Sequence, residues 1–230
     1  MRVIITNDDG IDAPGIHALC VAAARIPQLE LIVVAPQGAW SGCGHALTTG
    51  RTFAVEARPP TAWAPQRWAV AGSPADCVRA ALTHLAPGAQ AVLSGINHGG
   101  NLGFDVHCSG TVAAAREAAS HGVRGIACSH YQRRGLAVDW TQAATWLAGL
   151  LPELLAKPRG YVSINLPHLE PGSAVPAAQR CALDPSPLPL AMDYSPEGLR
   201  YCGDYHQRER IPGADVDVCM GGRISIVEVD

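Results

Sequence analysis

The opening stretch, MRVIITNDDGIDAPGI over residues 1–16, restricts the possible folds more than any other part of the chain. Val3, Ile4 and Ile5 form a β-branched apolar run that reads as a strand buried on both faces. The run stops at Asn7-Asp8-Asp9-Gly10. Asp12 is then placed to cap a helix, with Pro14 in its first turn and Ile16, Leu19 and Cys20 on its apolar stripe. A strand that feeds directly into a helix calls for a crossover and a parallel neighbour, not a hairpin. Two adjacent carboxylates at the end of a buried strand repel each other, a cost that a divalent cation offsets. The competing reading makes both aspartates solvated turn residues.

The alternation continues along the chain. Leu29–Ala35 is a second apolar strand, opening after Pro36 into Gln37-Gly-Ala-Trp-Ser41-Gly-Cys-Gly-His45. Arg51–Val70 holds short extended pieces broken by Pro59, Pro60 and Pro65, as in a hairpin or excursion. Ser73-Pro74-Ala75-Asp76 is a capping box that starts a helix running to about Leu85. Ala89–Leu93 is a strand followed by the loop Ser94–Gly103, and Ser109-Gly110-Thr111 starts a small-residue helix ending near Gly122. Val123–Cys128 is a strand, Asp139 to Gln142 caps a helix through Leu154, and Tyr161–Leu166 is a strand closed by Pro167. Leu169–Pro212 is rich in Pro, Gly and Arg without periodicity, too long for an ordinary loop, and reads as an arm. Arg223–Val229 is a final strand. The division expected is a catalytic core over 1–168, an arm over 169–212 used in oligomerisation, and a returning strand segment over 213–230.

Composition narrows the function classes. With 48% hydrophobic and 16% charged residues the chain is globular, and a net charge of −3 gives no electrostatic footprint for duplex nucleic acid. No apolar run has the length of a membrane span, and no signal peptide precedes the first strand. The eight cysteines form no C-x-x-C pair and fall largely in apolar patterns, which suits free thiols in a reducing cytoplasm.

An α/β chain of this kind folds as a mostly parallel sheet flanked by helices, with ligands bound beyond the carboxyl ends of the strands. Three loops converge on that edge: Asp8 with Asp9, Ser41 among its glycines, and Asn97 with Asn101. All offer oxygen, the donor that magnesium, calcium and manganese prefer. Four protein oxygens leave roughly two positions of an octahedron for water and substrate. The helix start at Ser109-Gly110-Thr111 presents backbone N–H groups suited to a phosphate, with Gly110 permitting close approach. A cation and an anion cradle side by side describe a phosphoryl-transfer site. His45, His98 and His107 with Cys43 and Cys108 match no zinc-finger or ribbon spacing, and Gly95–Gly103 lacks the Gly-Lys-Ser/Thr ending of a P-loop.

The blocks NDDGIDAPGI, VVAP…SGCGHALT, GSPADCV, SGINHGGNLG and SGTVAAAREA, followed by SINLP and DVDVCMGGRISI, resemble the SurE family of metal-dependent nucleotidases in order and spacing. The resemblance implies a Rossmann-like core, a C-terminal arm swapped between subunits, a homodimer or tetramer, and hydrolysis of nucleoside monophosphates at the 5′ or 3′ phosphate. It implies one Mg²⁺ or Mn²⁺ held by Asp8, Asp9, Ser41 and Asn97, with phosphate contacts from Asn101, Ser109, Gly110 and Thr111. Catalysis then rests on Asp8, Asp9 and Asn101, and His45 and His107 are candidates for protonating the leaving alcohol. The chain departs from the family pattern at Gln37, Phe104, His107-Cys108 and the closing Val-Glu-Val-Asp, none of which removes a ligand. Two alternatives stay open: a nucleotide or metal sensor without turnover, and an aspartyl-phosphate mechanism with Asp8 as nucleophile. Against the latter, the haloacid-dehalogenase pattern needs an aspartate where Gly10 stands.

Overall fold

The structure, a computed structural model, describes residues 1–229; Asp230, the last residue of the expected 213–230 segment, lies outside them. A nine-stranded sheet in the order β3-β4-β2-β1-β5-β6-β7-β11-β8 forms the centre. Its strands are β1 (Arg2–Thr6), β2 (Glu30–Pro36), β3 (Val55–Arg58), β4 (Gln66–Val70), β5 (Ala91–His98), β6 (Arg124–His130), β7 (Tyr161–Leu166), β8 (Ala178–Arg180) and β11 (Ile224–Val229). The run from β4 through β7 is parallel. β3 closes a hairpin on β4, as the proline-broken stretch 51–70 suggests, and β11 returns antiparallel to β7. A mostly parallel, helix-flanked sheet is therefore the fold, as the alternation of elements requires.

β1 is buried on both faces because its side chains serve two cores. Val3 and Ile5 pack with α1 (Pro14–Ala24) and α5 (Trp140–Leu155), while Ile4 packs with α2 (Pro74–Ala80) and α4 (Gly110–Ser120). The chain leaves β1 for β2 on one side and has β5 on the other. The crevice at the carboxyl ends of β1 and β5 is thus a topological switch point, where such sheets bind ligands.

Several local sequence signals are realised in the structure. Ser73 and Asp76 form the reciprocal capping box, and Asp139 caps α5 through the N–H groups of Thr141 and Gln142. The helix begun at Pro74 reaches Leu85 only through a final π-helical turn, Ala81–Leu85. Asp12, however, is not the cap of α1. The residue before a proline is pushed to extended backbone, so Ala13, before Pro14, takes that place with φ −66° and ψ 146°, and Asp12 pairs with Arg67 at 2.8 Å. The stretch Ser94–His98, expected as loop, continues β5: Asn97 and His98 pair with Ser129 and His130 after an irregularity at Ser94. A four-residue helix, α3 (Asp105–Cys108), fills the stretch between the Gly103 end of that loop and the Ser109 helix start, to which the sequence reading assigns no element.

The 169–212 stretch is less irregular than its composition implies. β8 joins the central sheet beside β11, and a separate hairpin pairs β9 (Met192–Ser195) with β10 (Gly198–Tyr201). Around that hairpin Leu190, Tyr194 and Leu199 are exposed. The last helix, α6 (Asp215–Met220), precedes β11.

At the far edge, the Arg124 side chain is only 2% exposed and pairs with Glu228 at 3.3 Å, which also accepts hydrogen bonds from Lys157 and Arg180. Burial would raise the Glu228 carboxyl, but these three donors outweigh it and hold the group at about 2. A carboxylate lowered from about 4.3 in the unfolded chain adds stability above that value and loses it as pH falls towards 2. Glu228→Gln should therefore cost about 1–2 kcal/mol at neutral pH, less than for a fully buried pair because Glu228 is partly solvated. The gap to the parent should close between about pH 4 and 2 in thermal unfolding followed against pH.

Candidate active site

The turn after β1 is set by Asn7, whose Nδ2 donates to Gly10 O at 2.8 Å. It leaves Asp8 buried and Asp9 half-buried at the switch point. Asp8 is held from α4: Thr111 donates its N–H to one carboxylate oxygen at 3.0 Å and its hydroxyl to the other at 2.5 Å. Burial pushes the Asp8 carboxyl up, the Thr111 hydroxyl opposes this, and the charge of Asp9 adds to it, with a net upward shift. Asp9 accepts the His98 N–H at 3.1 Å, which ties the end of β1 to the end of β5.

The other loops are fixed to the same point. Asp8 O accepts from Trp40 N at 2.7 Å, and Gly44 N donates to Cys108 O at 2.9 Å, so the segment carrying Ser41 spans from β1 to the start of α4. Asn97 spends its Nδ2 on Gly99 O at 2.8 Å, which leaves its amide oxygen open. Asp8, Asp9, Ser41, Asn97, Asn101 and Ser109 together line one cavity of about 280 Å³, joined by His98 and Cys108.

Gly110 and Thr111 do not line it. Thr111 is spent on Asp8, and Val112 N donates to Ser109 Oγ at 3.1 Å. Among the described residues, Gly110 thus keeps the first N–H of α4 without a protein acceptor. The expected reason for glycine at 110 also changes. A Cβ there would lie 2.9 Å from Asp8 Cβ, Asp8 Oδ2 and Cys43 Sγ, so the close approach that needs glycine is that of the Asp8 side chain. His45 Nε2 donates to the Glu117 carboxylate at 2.7 Å, and His107 stacks near Phe104; neither lines the cavity. Among the described residues, no group of three or more His, Cys, Asp or Glu side chains is arranged so as to hold a metal ion by itself.

Asn165 went unnoticed in the sequence. Its amide clamps Asn101 at both backbone atoms, accepting from Asn101 N at 2.8 Å and donating to Asn101 O at 3.0 Å, while Asn101 Nδ2 donates to Ser129 Oγ. The available signal was an asparagine inside the buried strand YVSINL, whose other fully buried polar residue is the small Ser163. A buried polar side chain is retained when something needs its hydrogen bonds.

Ser109 is at least a helix cap, so Ser109→Ala should lower stability by about 1 kcal/mol. If its hydroxyl also meets the substrate anion, kcat/KM falls about tenfold or more on the same sample. Lower thermal stability with unchanged kcat/KM would assign it capping alone.

The family model described as Survival protein SurE matches residues 3–182. A relative from Nostoc sp., bearing the provisional name of a 5′-nucleotidase, is 47% identical over 100% of this chain and 99% of its own. A protein of Heliobacterium modesticaldum named 5′-nucleotidase SurE is 36% identical, covering 100% of this chain and 86% of its own. The crystal structure of the SurE protein from Aquifex aeolicus superposes with a TM-score of 0.83 at 25% identity, over 100% of this chain and 93% of that one.

Proposed function

The chain belongs to the SurE family, and from that premise we propose that it is a metal-dependent nucleotidase releasing phosphate from nucleoside monophosphates, at the 5′ and/or 3′ position. The observation that carries this reading is the cavity in which Asp8, Asp9, Ser41 and Asn97 meet Asn101 and Ser109 at the switch point. The donor set suits one hard divalent cation, Mg²⁺ or Mn²⁺: two carboxylates, an alcohol and an open amide oxygen, with no cluster of His or Cys. A cation held by these four residues would act as a Lewis acid towards the phosphoryl oxygens and the attacking water.

The rest of the chemistry belongs to the chain. Thr111 orients the Asp8 carboxylate, and the His98 N–H orients that of Asp9. Asn101, held rigid by Asn165, and Ser109 receive the phosphate and steady the charge that develops on it, with the free Gly110 N–H adding the positive end of α4 just behind them. Thr111 serves the phosphate through Asp8 instead of by contact. An aspartyl-phosphate route is disfavoured because both oxygens of Asp8 already accept from Thr111, which weakens it as a nucleophile. The exposed apolar side chains around β9 and β10 favour use of the 169–212 arm in a homodimer or tetramer. Eight free cysteines favour a reducing, cytoplasmic setting. No helix among the described residues is long and apolar enough to cross a membrane.

The test is phosphate release from 5′-AMP and 3′-AMP by chelator-stripped protein, with and without added Mg²⁺ or Mn²⁺. Activity should vanish on stripping and return with the ion. Full activity from protein shown by metal analysis to be empty would refute the metal role. Tight metal or AMP binding without turnover would favour the sensor. Light scattering on the same sample should give a mass of two or more chains; an active monomer would remove the arm's proposed role.

A further inference from the structure

A second cavity, of about 260 Å³, opens beside the first and is lined by Asp9, Ala13, Pro14, Gly15, His98 and Trp140. The two share Asp9 and His98, so they lie side by side, and a ligand whose anion occupies the first has the second as its immediate neighbour. We propose that this second cavity is the nucleobase subsite, with Trp140 and His98 as its stacking surface. The assignment rests on the nucleotidase reading and adds the residues that recognise the part of the substrate not undergoing chemistry.

The lining chemistry separates base from sugar. Its walls are the indole, the imidazole, proline and alanine, which favour a flat aromatic ring over a ribose with its hydroxyls. The Trp140 and His98 ring centroids are 5.8 Å apart with planes at 41°, too close to admit a third ring between them, so they form a tilted floor and not a clamp. Asp9 supplies a polar edge. So does the first turn of α1, whose N-cap Ala13 has no side-chain hydrogen bond and which has no acidic residue to meet its free N–H groups.

The floor is built in place before any ligand arrives. Trp140 is the first residue of α5, whose start is fixed by two 3.0 Å bonds to Asp139. The indole also packs near His130, a buried imidazole that burial holds at about 4 and hence neutral, so no charge competes for its face. On the other side, a Cβ at Gly15 would lie 3.3 Å from Trp140 Cη2 and would run into Ile96 O, so glycine lets α1, β5 and the indole meet. The other cleft near α1, around His17 and Arg67, shares no residue with the Asp8–Asp9 cavity and is not continuous with the phosphate.

The experiment compares kcat/KM for AMP with kcat/KM for ribose 5-phosphate, which lacks the base, in the parent, Trp140→Ala, Trp140→Phe and His98→Ala. In Trp140→Ala the AMP to ribose 5-phosphate ratio should fall about tenfold, mainly through the KM for AMP, and Trp140→Phe should recover most of it. A ratio unchanged in both Trp140→Ala and His98→Ala overturns the subsite while leaving the nucleotidase reading intact. Should Trp140→Ala not fold, His98→Ala and Trp140→Phe decide by the same ratio. If the parent cleaves neither compound the nucleotidase reading falls, and calorimetric binding of adenosine then judges the cavity. Adenosine affinity about tenfold weaker in the variants supports it; absent or unaltered binding overturns it.

Discussion

Asp8→Asn should abolish phosphate release and, at the same time, make the metal-free protein more stable. The two effects have one origin. The folded chain disfavours the charged form of Asp8, through burial and through the neighbouring charge of Asp9, so a neutral isostere relieves a cost. The Thr111 contacts survive the change, since an amide accepts the Thr111 N–H and donates to its hydroxyl. Without ligand, the variant should gain of the order of 1 kcal/mol in unfolding free energy, as removing a functional charge commonly does. In catalysis the expected loss, with Asp8 in its proposed role of cation ligand, is about 4 kcal/mol or a thousandfold in kcat/KM. Mg²⁺ or Mn²⁺ should raise the melting temperature of the parent and leave that of Asp8→Asn nearly unmoved. Calorimetric unfolding with and without ion, beside phosphate release, reads all three. A variant that keeps the metal-induced shift would show that Asp8 is not a ligand.

Gly110→Ala should be almost as damaging, although residue 110 does not line the cavity. A single methyl at 2.9 Å from Asp8 Cβ, Asp8 Oδ2 and Cys43 Sγ must push one of them away. Asp8 is bonded to the adjacent residue, Thr111, so it cannot step aside without breaking those bonds. With Asp8 in its proposed catalytic role, a displacement of a fraction of an ångström to an ångström should cost about a hundredfold in kcat/KM. Stability should drop less than for typical overpacking, about 1–3 kcal/mol, because alanine is the better helix former by about 1 kcal/mol. Gly38→Ala is the control: a Cβ there meets nothing within 4 Å, and its kinetics should stay near the parent's. Loss of stability without loss of kcat/KM in Gly110→Ala would mean that Asp8 relaxes freely and that its position is not critical.

The parts of this molecule legible in the sequence are those decided within a few residues. The β1 run, the Ser73–Asp76 box, the Asp139 cap and the Ser109 helix start depend on local rotamers and backbone preferences, so composition alone exposes them. The gathering of Asp8, Asp9, Ser41, Asn97 and Asn101 on one edge followed from the parallel topology, which sends every loop after a strand to the same side. What escaped was decided at a distance. Asn165 clamps Asn101 from across the sheet, the need for glycine at 110 comes from a side chain about a hundred positions earlier, and His98 reaches Asp9 only because β5 runs on past Gly95. No periodicity in one segment carries such information. Asp12 failed for the opposite reason: a rule at closer range, the extended residue before proline, overrode the capping preference.

The position of β11 has a consequence for biosynthesis. Every segment that lines the Asp8–Asp9 cavity precedes β7 in the chain, yet β7 itself has only β6 beside it until residues 224–229 are in place. From the time β7 emerges until β11 docks, the chain carries a strand with a row of unpaired N–H and C=O groups, the kind of edge on which chains stick to one another. Translation speed over the last part of the arm, together with the docking of β11, therefore sets how long that edge is open. Pulse-chase yield in a strain lacking holdase chaperones should be more sensitive to slow codons between β7 and β11 than to the same codons before β5.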